Sequence, residues 1–106
     1  FLDSSVDAFM AVSDDEATTA MRQLATGSER DMPVLAGESG VACLAALNQL
    51  AVDKAQMAAL GLDGHARVLF ISSEGATAPS VYAEAVGETA EAVLARQQQW
   101  LAAQAL

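Results

Sequence analysis

Residues 67–75 read RVLFISSEG, in which an uninterrupted apolar run ends in a small polar turn. The run Arg67–Ile71 predicts a strand covered by helices on both faces, because such strands are apolar throughout rather than at every second position. Two further apolar runs, Val6–Val12 and Pro33–Ala36, also have the length of strands. Since helical patterns lie between these runs, the sequence predicts an α/β fold with a parallel sheet.

Helix signals separate the predicted strands. Ser13 and Glu16 form an S-x-x-E capping box, and apolar residues then recur at helical spacing until Gly27. The remaining patterns predict a buried helix over Val41–Leu50 with Ser39 as its N-cap, a short helix from Asp53 to Gly61, a helix that begins near Thr77 and Pro79, and a last helix over Thr89–Gln104.

The composition limits the class of protein. The chain has 106 residues, of which 14 are acidic and 5 are Lys or Arg, so its formal charge is −9. This length fits one domain, and a hydrophobic content of 53% is far above that of disordered chains. The negative charge repels phosphate backbones and anionic lipids, which argues against nucleic-acid and membrane partners. Cys43 is the only cysteine, which excludes an internal disulfide framework and fits a reducing compartment such as the cytoplasm.

Several features indicate that these residues belong to a larger domain. The sequence begins at Phe1 without an initiator Met, is rich in alanine and has few large apolar residues for an independent domain. We therefore expect residues 1–106 to be a single partial domain whose core is shared with the remainder of the same polypeptide. An alanine-rich genome would explain the same composition.

Two glycine-containing turns are the candidate sites. Ligands of parallel α/β sheets bind outside the carboxyl ends of the strands, and such ends are predicted at Gly37–Gly40 and Ser72–Gly75. Three other reactive residues have simpler interpretations. His65 is a surface loop residue without metal-ligating partners, Cys43 is an inert core thiol on an apolar helix, and Lys54 is a solvated residue at a helix start.

Both turns also carry a family resemblance. The runs DMPVLAGESGVACLAAL (31–47) and LGLDGHARVLFISSEGAT (60–77) resemble the carboxy-terminal part of diaminopropionate ammonia-lyases. These are pyridoxal-phosphate (PLP) enzymes of the tryptophan-synthase-β, or fold type II, superfamily. The resemblance rests on AGESG and ISSEG in this order and at suitable spacing, and it covers roughly Ala8–Tyr82. It implies a parallel-sheet, helix-covered PLP domain, with the terminal helix of residues 88–106 outside the matched region.

The resemblance implies a cofactor contact at the second turn. In fold type II enzymes a Ser or Thr at the end of a late strand donates a hydrogen bond to the pyridine nitrogen of PLP. Ser72 matches that position, with Ser73 as the register alternative. A neutral hydroxyl leaves this nitrogen largely unprotonated, whereas an aspartate would favour the protonated ring. The chemistry is then suited to elimination.

The first turn matches the family as well. Glu38, Ser39 and Gly40 correspond to the ESG turn that lies near the cofactor, where Ser39 and Gly40 permit a close approach of the backbone. Glu74 and Gly75 match the EG of the second motif, and for them a local structural role and a substrate-proximal role both stay open. No metal site is expected.

The implied activity is that of a PLP-dependent lyase in its full-length form, which eliminates ammonia from 2,3-diaminopropionate and yields pyruvate. The lysine that forms the Schiff base with PLP, and the phosphate-binding loop, would lie amino-terminal to these motifs. The resemblance makes a homodimer the expected assembly and a small amino acid the expected substrate. The alternatives are a threonine or serine dehydratase-like enzyme, a threonine synthase-like enzyme, and a non-catalytic α/β binding or assembly module.

Overall fold

The computed structural model describes residues 8–104, which form five helices joined by irregular segments. We number the helices in chain order: α1 is Asp14–Thr26, α2 is Ala42–Ala51, α3 is Lys54–Ala59, α4 is Pro79–Val86 and α5 is Ala90–Gln104. None of these described helices has the length and apolarity needed to cross a membrane.

The predicted α/β fold is wrong, because residues 8–104 contain helices and no strand. The described part of Val6–Val12 is irregular, as are Pro33–Ala36 and Arg67–Ile71, and the first two residues of Val6–Val12 lie outside the described range. A strand exists only where its backbone pairs with a neighbour. In the described residues, the backbone of Arg67–Ile71 makes no hydrogen bond to other backbone groups. Leu69 and Ile71 are 87% and 76% exposed, so the parallel PLP fold type II sheet is absent from this part of the chain.

Helix α1 begins and ends where its local signals predict. The Glu16 backbone N–H donates to the Ser13 hydroxyl at 3.1 Å, and the Ser13 N–H donates to the Glu16 carboxylate at 2.9 Å. These two bonds form the predicted capping box. The helix ends at Gly27, whose φ of +61° is rare for residues with a side chain. A Cβ there would also lie 2.6 Å from the Asp31 carbonyl oxygen, so this position requires glycine.

The carboxyl end of α1 is capped by a residue from α5. The last turn of α1 contains no basic residue. Arg96 donates instead to the carbonyl oxygens of Ala25 and Thr26, which satisfies groups that have no partner inside the helix and places a cation at the negative end of its dipole. A second arginine joins α1 to α4, because Arg22 of α1 donates to the Ala85 carbonyl oxygen of α4 at 2.7 Å.

The core lies around α1 and consists mainly of small side chains. α1 packs against both α2 and α4, and half of the buried hydrophobic residues are alanine, which lets the helices approach closely. The buried residues are Ala17, Ala20, Met21, Ala25, Ala36, Val41, Ala45, Leu50, Tyr82 and Val93.

Two local predictions about α2 are wrong and two about later helices are confirmed. Ser39 is not the N-cap of α2, because the helix begins after Val41, which makes no side-chain capping bond. Cys43 lies on the exposed side of α2 rather than in the core. Asp53 caps α3 through its side chain, and Pro79 occupies the first turn of α4, as expected.

Candidate functional site

The two glycine-containing turns, Gly37–Gly40 and Ser72–Gly75, lie in contact with each other. The Gly37 N–H donates to the Glu74 carbonyl oxygen at 2.9 Å. The Ser39 N–H donates to the Glu74 carboxylate oxygen Oε1 at 3.3 Å. The first turn leads into α2 and the second precedes α4, so the helices support the two sides of this junction.

Glycine is required in the first turn because the second turn lies directly against it. A Cβ at Gly37 would lie 2.5 Å from both Glu74 Oε1 and the Gly75 carbonyl oxygen. A Cβ at Gly40 would lie 2.7 Å from both the Glu74 carbonyl oxygen and Ser72 Oγ. Real Cβ atoms do not approach other atoms so closely. The two glycines of AGESG are therefore positions at which the second turn leaves no room for a side chain.

All five residues predicted to lie near the cofactor are in these two turns. Glu38, Ser39, Ser72 and Ser73 are exposed, and Gly40 is buried. The Ser72 hydroxyl makes none of the hydrogen bonds found within residues 8–104.

A cavity of about 220 Å³ opens beside the junction. Its wall includes residues 37–39 of the first turn and residues 74–78 at and after the second turn, and Met21, Val81 and Tyr82 complete it. This volume is below that of pockets for drug-sized molecules.

The cavity overlaps only in part with the predicted cofactor residues. Glu38 and Ser39 line it, whereas Gly40, Ser72 and Ser73 do not. The cavity and the serines of the second turn therefore share only the neighbouring residues Glu74 and Gly75.

Tyr82 is a residue of the cavity that the sequence did not single out. Its side chain is 2% exposed, and its hydroxyl has no hydrogen-bond partner among the described residues. Burial raises the pKa of this hydroxyl, the Glu88 charge raises it further, and Arg96 partly opposes the shift. The group therefore stays protonated at neutral pH. The signal that could have revealed it is the position of the single Tyr of the chain, one helical turn after Pro79.

The charge of the cavity excludes some ligands. Glu38 and Glu74 line it, and no Lys or Arg does. Lys54 and His65 are exposed outside this lining, as predicted. In the described part of the chain, no group of three or more side chains could hold a metal ion. The carboxylates favour a neutral or cationic ligand group over a phosphate.

Comparison with known proteins adds no information on function. No family model, curated protein or solved structure matches this chain. The resemblance to diaminopropionate ammonia-lyases therefore depends on the two motifs alone. The cofactor-binding role of the two turns, Gly37–Gly40 and Ser72–Gly75, stays a prediction.

Proposed function

We propose that this chain is the carboxy-terminal segment of a PLP-dependent ammonia-lyase. The reaction is α,β-elimination on 2,3-diaminopropionate, in which water is consumed and pyruvate and two molecules of ammonia are formed. The observation that supports this proposal is the contact between the AGESG and ISSEG turns, joined by the 2.9 Å hydrogen bond from Gly37 to Glu74. The motifs that carry the resemblance are distant in sequence and adjacent in space, as residues of one site must be.

The proposal places the pyridine ring of PLP at the second turn. Ser72 is exposed, and its Oγ lies 2.7 Å from the place that a Cβ at Gly40 would take. Its hydroxyl is a neutral donor, which suits a ring nitrogen that stays unprotonated. We assign the contact with this nitrogen to Ser72 and keep Ser73 as the register alternative.

The phosphate end of PLP does not fit this cavity. Glu38 and Glu74 line it without a compensating cation, so their charges repel a phosphate group. The proposal therefore assigns the phosphate-binding loop and the Schiff-base lysine to the remainder of the same polypeptide. Lys54 is exposed on α3 and outside the cavity lining, and it is not proposed for this role.

The residues of this chain would bind and orient the reactants. PLP, when bound, supplies the electron-withdrawing system that stabilises negative charge at the substrate α-carbon. Ser72 would hold the cofactor ring. Glu38, exposed at the edge of the cavity, would attract the cationic amino groups of the substrate. Met21 and Tyr82, both buried, keep water from the inner wall.

Activity of the intact protein with PLP tests the proposal. We expect PLP to bind with a change in its absorption spectrum, and 2,3-diaminopropionate to be converted to pyruvate. Ser72→Ala should lower kcat/KM about 5- to 150-fold, which corresponds to roughly 1–3 kcal/mol for the loss of one buried hydrogen bond. Ser73→Ala is the matched control and should be close to wild type.

The other outcomes of this experiment are equally informative. If Ser73→Ala is impaired and Ser72→Ala is not, the cofactor contact is shifted by one residue. Turnover of serine or threonine without turnover of 2,3-diaminopropionate would favour the dehydratase-like alternative. If the intact protein does not bind PLP, the proposal is overturned and a non-catalytic binding module becomes the better interpretation.

A further inference from the structure

Glu74 contacts the turn that contains Glu38 through both its main chain and its side chain. Its carbonyl oxygen accepts a hydrogen bond from the Gly37 N–H at 2.9 Å, and its Oε1 accepts one from the Ser39 N–H at 3.3 Å. The residues on either side of Glu38 are therefore both held by Glu74. A single hydrogen bond restrains only the distance between the two turns. Two hydrogen bonds also restrain the orientation of the first turn relative to the second.

Steric fit supports the same contact. The place of a Cβ at Gly37 is 2.5 Å from Glu74 Oε1, and that of a Cβ at Gly40 is 2.7 Å from the Glu74 carbonyl oxygen and from Ser72 Oγ. The first turn thus has glycine at the two positions where Glu74 leaves no room for a Cβ. Glu74 is half-buried, whereas Glu38 is exposed. The two carboxylates therefore have different environments. The Glu74 carboxylate accepts a hydrogen bond from the opposite turn.

We infer that Glu74 is a positioning residue, which holds the turn of Glu38 against the turn of Ser72. The inference rests on the proposed function, since it assigns the purpose of this contact to the cofactor site. Glu74 acts through its neighbours: it sets the placement of Glu38 relative to Ser72 and takes no part in the bond changes. This inference develops the local structural role, one of the two roles that the sequence left open for Glu74.

Three variants of the intact protein separate positioning from folding. Glu74→Gln keeps a side-chain oxygen that can accept from the Ser39 N–H, and Glu74→Ala removes it. Glu84→Ala, on the exposed side of α4, is the matched control. Amide hydrogen exchange at Ser39 should be about tenfold faster in Glu74→Ala, because a hydrogen bond to a charged group is lost. It should be close to wild type in the other two variants.

The second readout is the steady-state kinetics of the PLP-loaded protein. Glu74→Ala should lower kcat roughly 10- to 100-fold with a smaller change in KM, because misplaced groups lose reactivity more than they lose affinity. Glu74→Gln should recover most of this loss, in parallel with the protection of the Ser39 amide. A role limited to overall stability would not give this parallel rescue.

The two readouts distinguish failure of the inference from failure of the proposed function. Equal Ser39 exchange in Glu74→Ala and Glu84→Ala would overturn the inference, whatever the activity of the protein. Faster exchange with an unchanged kcat would overturn the positioning role in catalysis. The expected exchange pattern in a protein that does not bind PLP would overturn the proposed function, while supporting the contact between Glu74 and the first turn.

Discussion

Replacing Arg96 with Ala should lower the free energy of unfolding by about 2 kcal/mol. The Arg96 guanidinium donates to the carbonyl oxygens of Ala25 and Thr26, the latter at 3.2 Å, and pairs with Glu88. Both carbonyls are at the end of α1, whose last turn contains no basic residue. With Ala at position 96, this end of the helix would lose its cap and the Glu88 carboxylate would lose its partner.

The magnitude follows from the exposure of these groups. Hydrogen bonds that involve a charged group contribute about 1.5–3 kcal/mol. The side chains of Arg96 and Glu88 are 35% and 32% exposed, so water replaces part of what is lost. The ion pair adds only about 0.2–1 kcal/mol at such exposure. A cation at the carboxyl end of a helix contributes about 0.3–1 kcal/mol. This effect is part of the hydrogen bonds from Arg96 to the Ala25 and Thr26 carbonyls.

Urea unfolding followed by far-UV circular dichroism measures the effect. Arg30→Ala is the matched control, because Arg30 is exposed in an irregular segment. Arg96→Lys keeps the charge but not the forked donor, so it should fall between wild type and Arg96→Ala. At roughly 4–8 °C per kcal/mol, Tm should fall by about 8–16 °C in Arg96→Ala. The reasoning is refuted if Arg96→Ala and Arg30→Ala differ by less than about 0.5 kcal/mol.

Tyr82→Phe should leave the free energy of unfolding unchanged or raise it by up to about 1 kcal/mol in the same assay, because the buried hydroxyl has no described partner. A loss above about 1 kcal/mol would show that the hydroxyl is bonded. Hydrogen bonds from the Ser13 backbone and then from Gln49 hold the pKa of Glu16 below its ordinary 4.5, so its stabilising effect is present above pH 4.5 and is lost as the pH falls through the folded-state pKa. The Tm values of wild type and Glu16→Gln should therefore converge on acidification, and a pH-independent difference would contradict this. Leu69→Lys should weaken binding of a hydrophobic dye, since Leu69 is 87% exposed; unchanged dye fluorescence would locate the apolar surface elsewhere.

Helix starts could be predicted where a helix carries its own end signal. The capping box at Ser13, the side chain of Asp53 and the ring of Pro79 lie within one turn of the helices that they begin. Ser39 was mistaken for such a signal. Its N–H donates to Glu74, 35 residues away, and α2 begins only after Val41. Neighbouring residues cannot reveal a competing partner that is distant in sequence.

The predicted strands failed for a related reason. The run Arg67–Ile71 has the composition of a strand, but a strand also needs a partner, and apolar composition does not supply one. The candidate turns could be found because glycine and small polar residues follow apolar runs. That Glu74 joins them, and that Tyr82 forms a wall of the cavity, depend on tertiary contacts. Their contact with PLP stays a prediction.

The cap of α1 also has a consequence for the order of events during synthesis. Arg96 follows Thr26 by 70 residues. At about 5–20 residues per second, the ribosome delivers the guanidinium roughly 4–14 s after α1 has been made. During that interval the Ala25 and Thr26 carbonyl oxygens lack their Arg96 donor, and we expect the helix to fray from this end. A nascent chain that stalls before position 96 should therefore present α1 to proteases and chaperones, since this early helix is among the last to be completed.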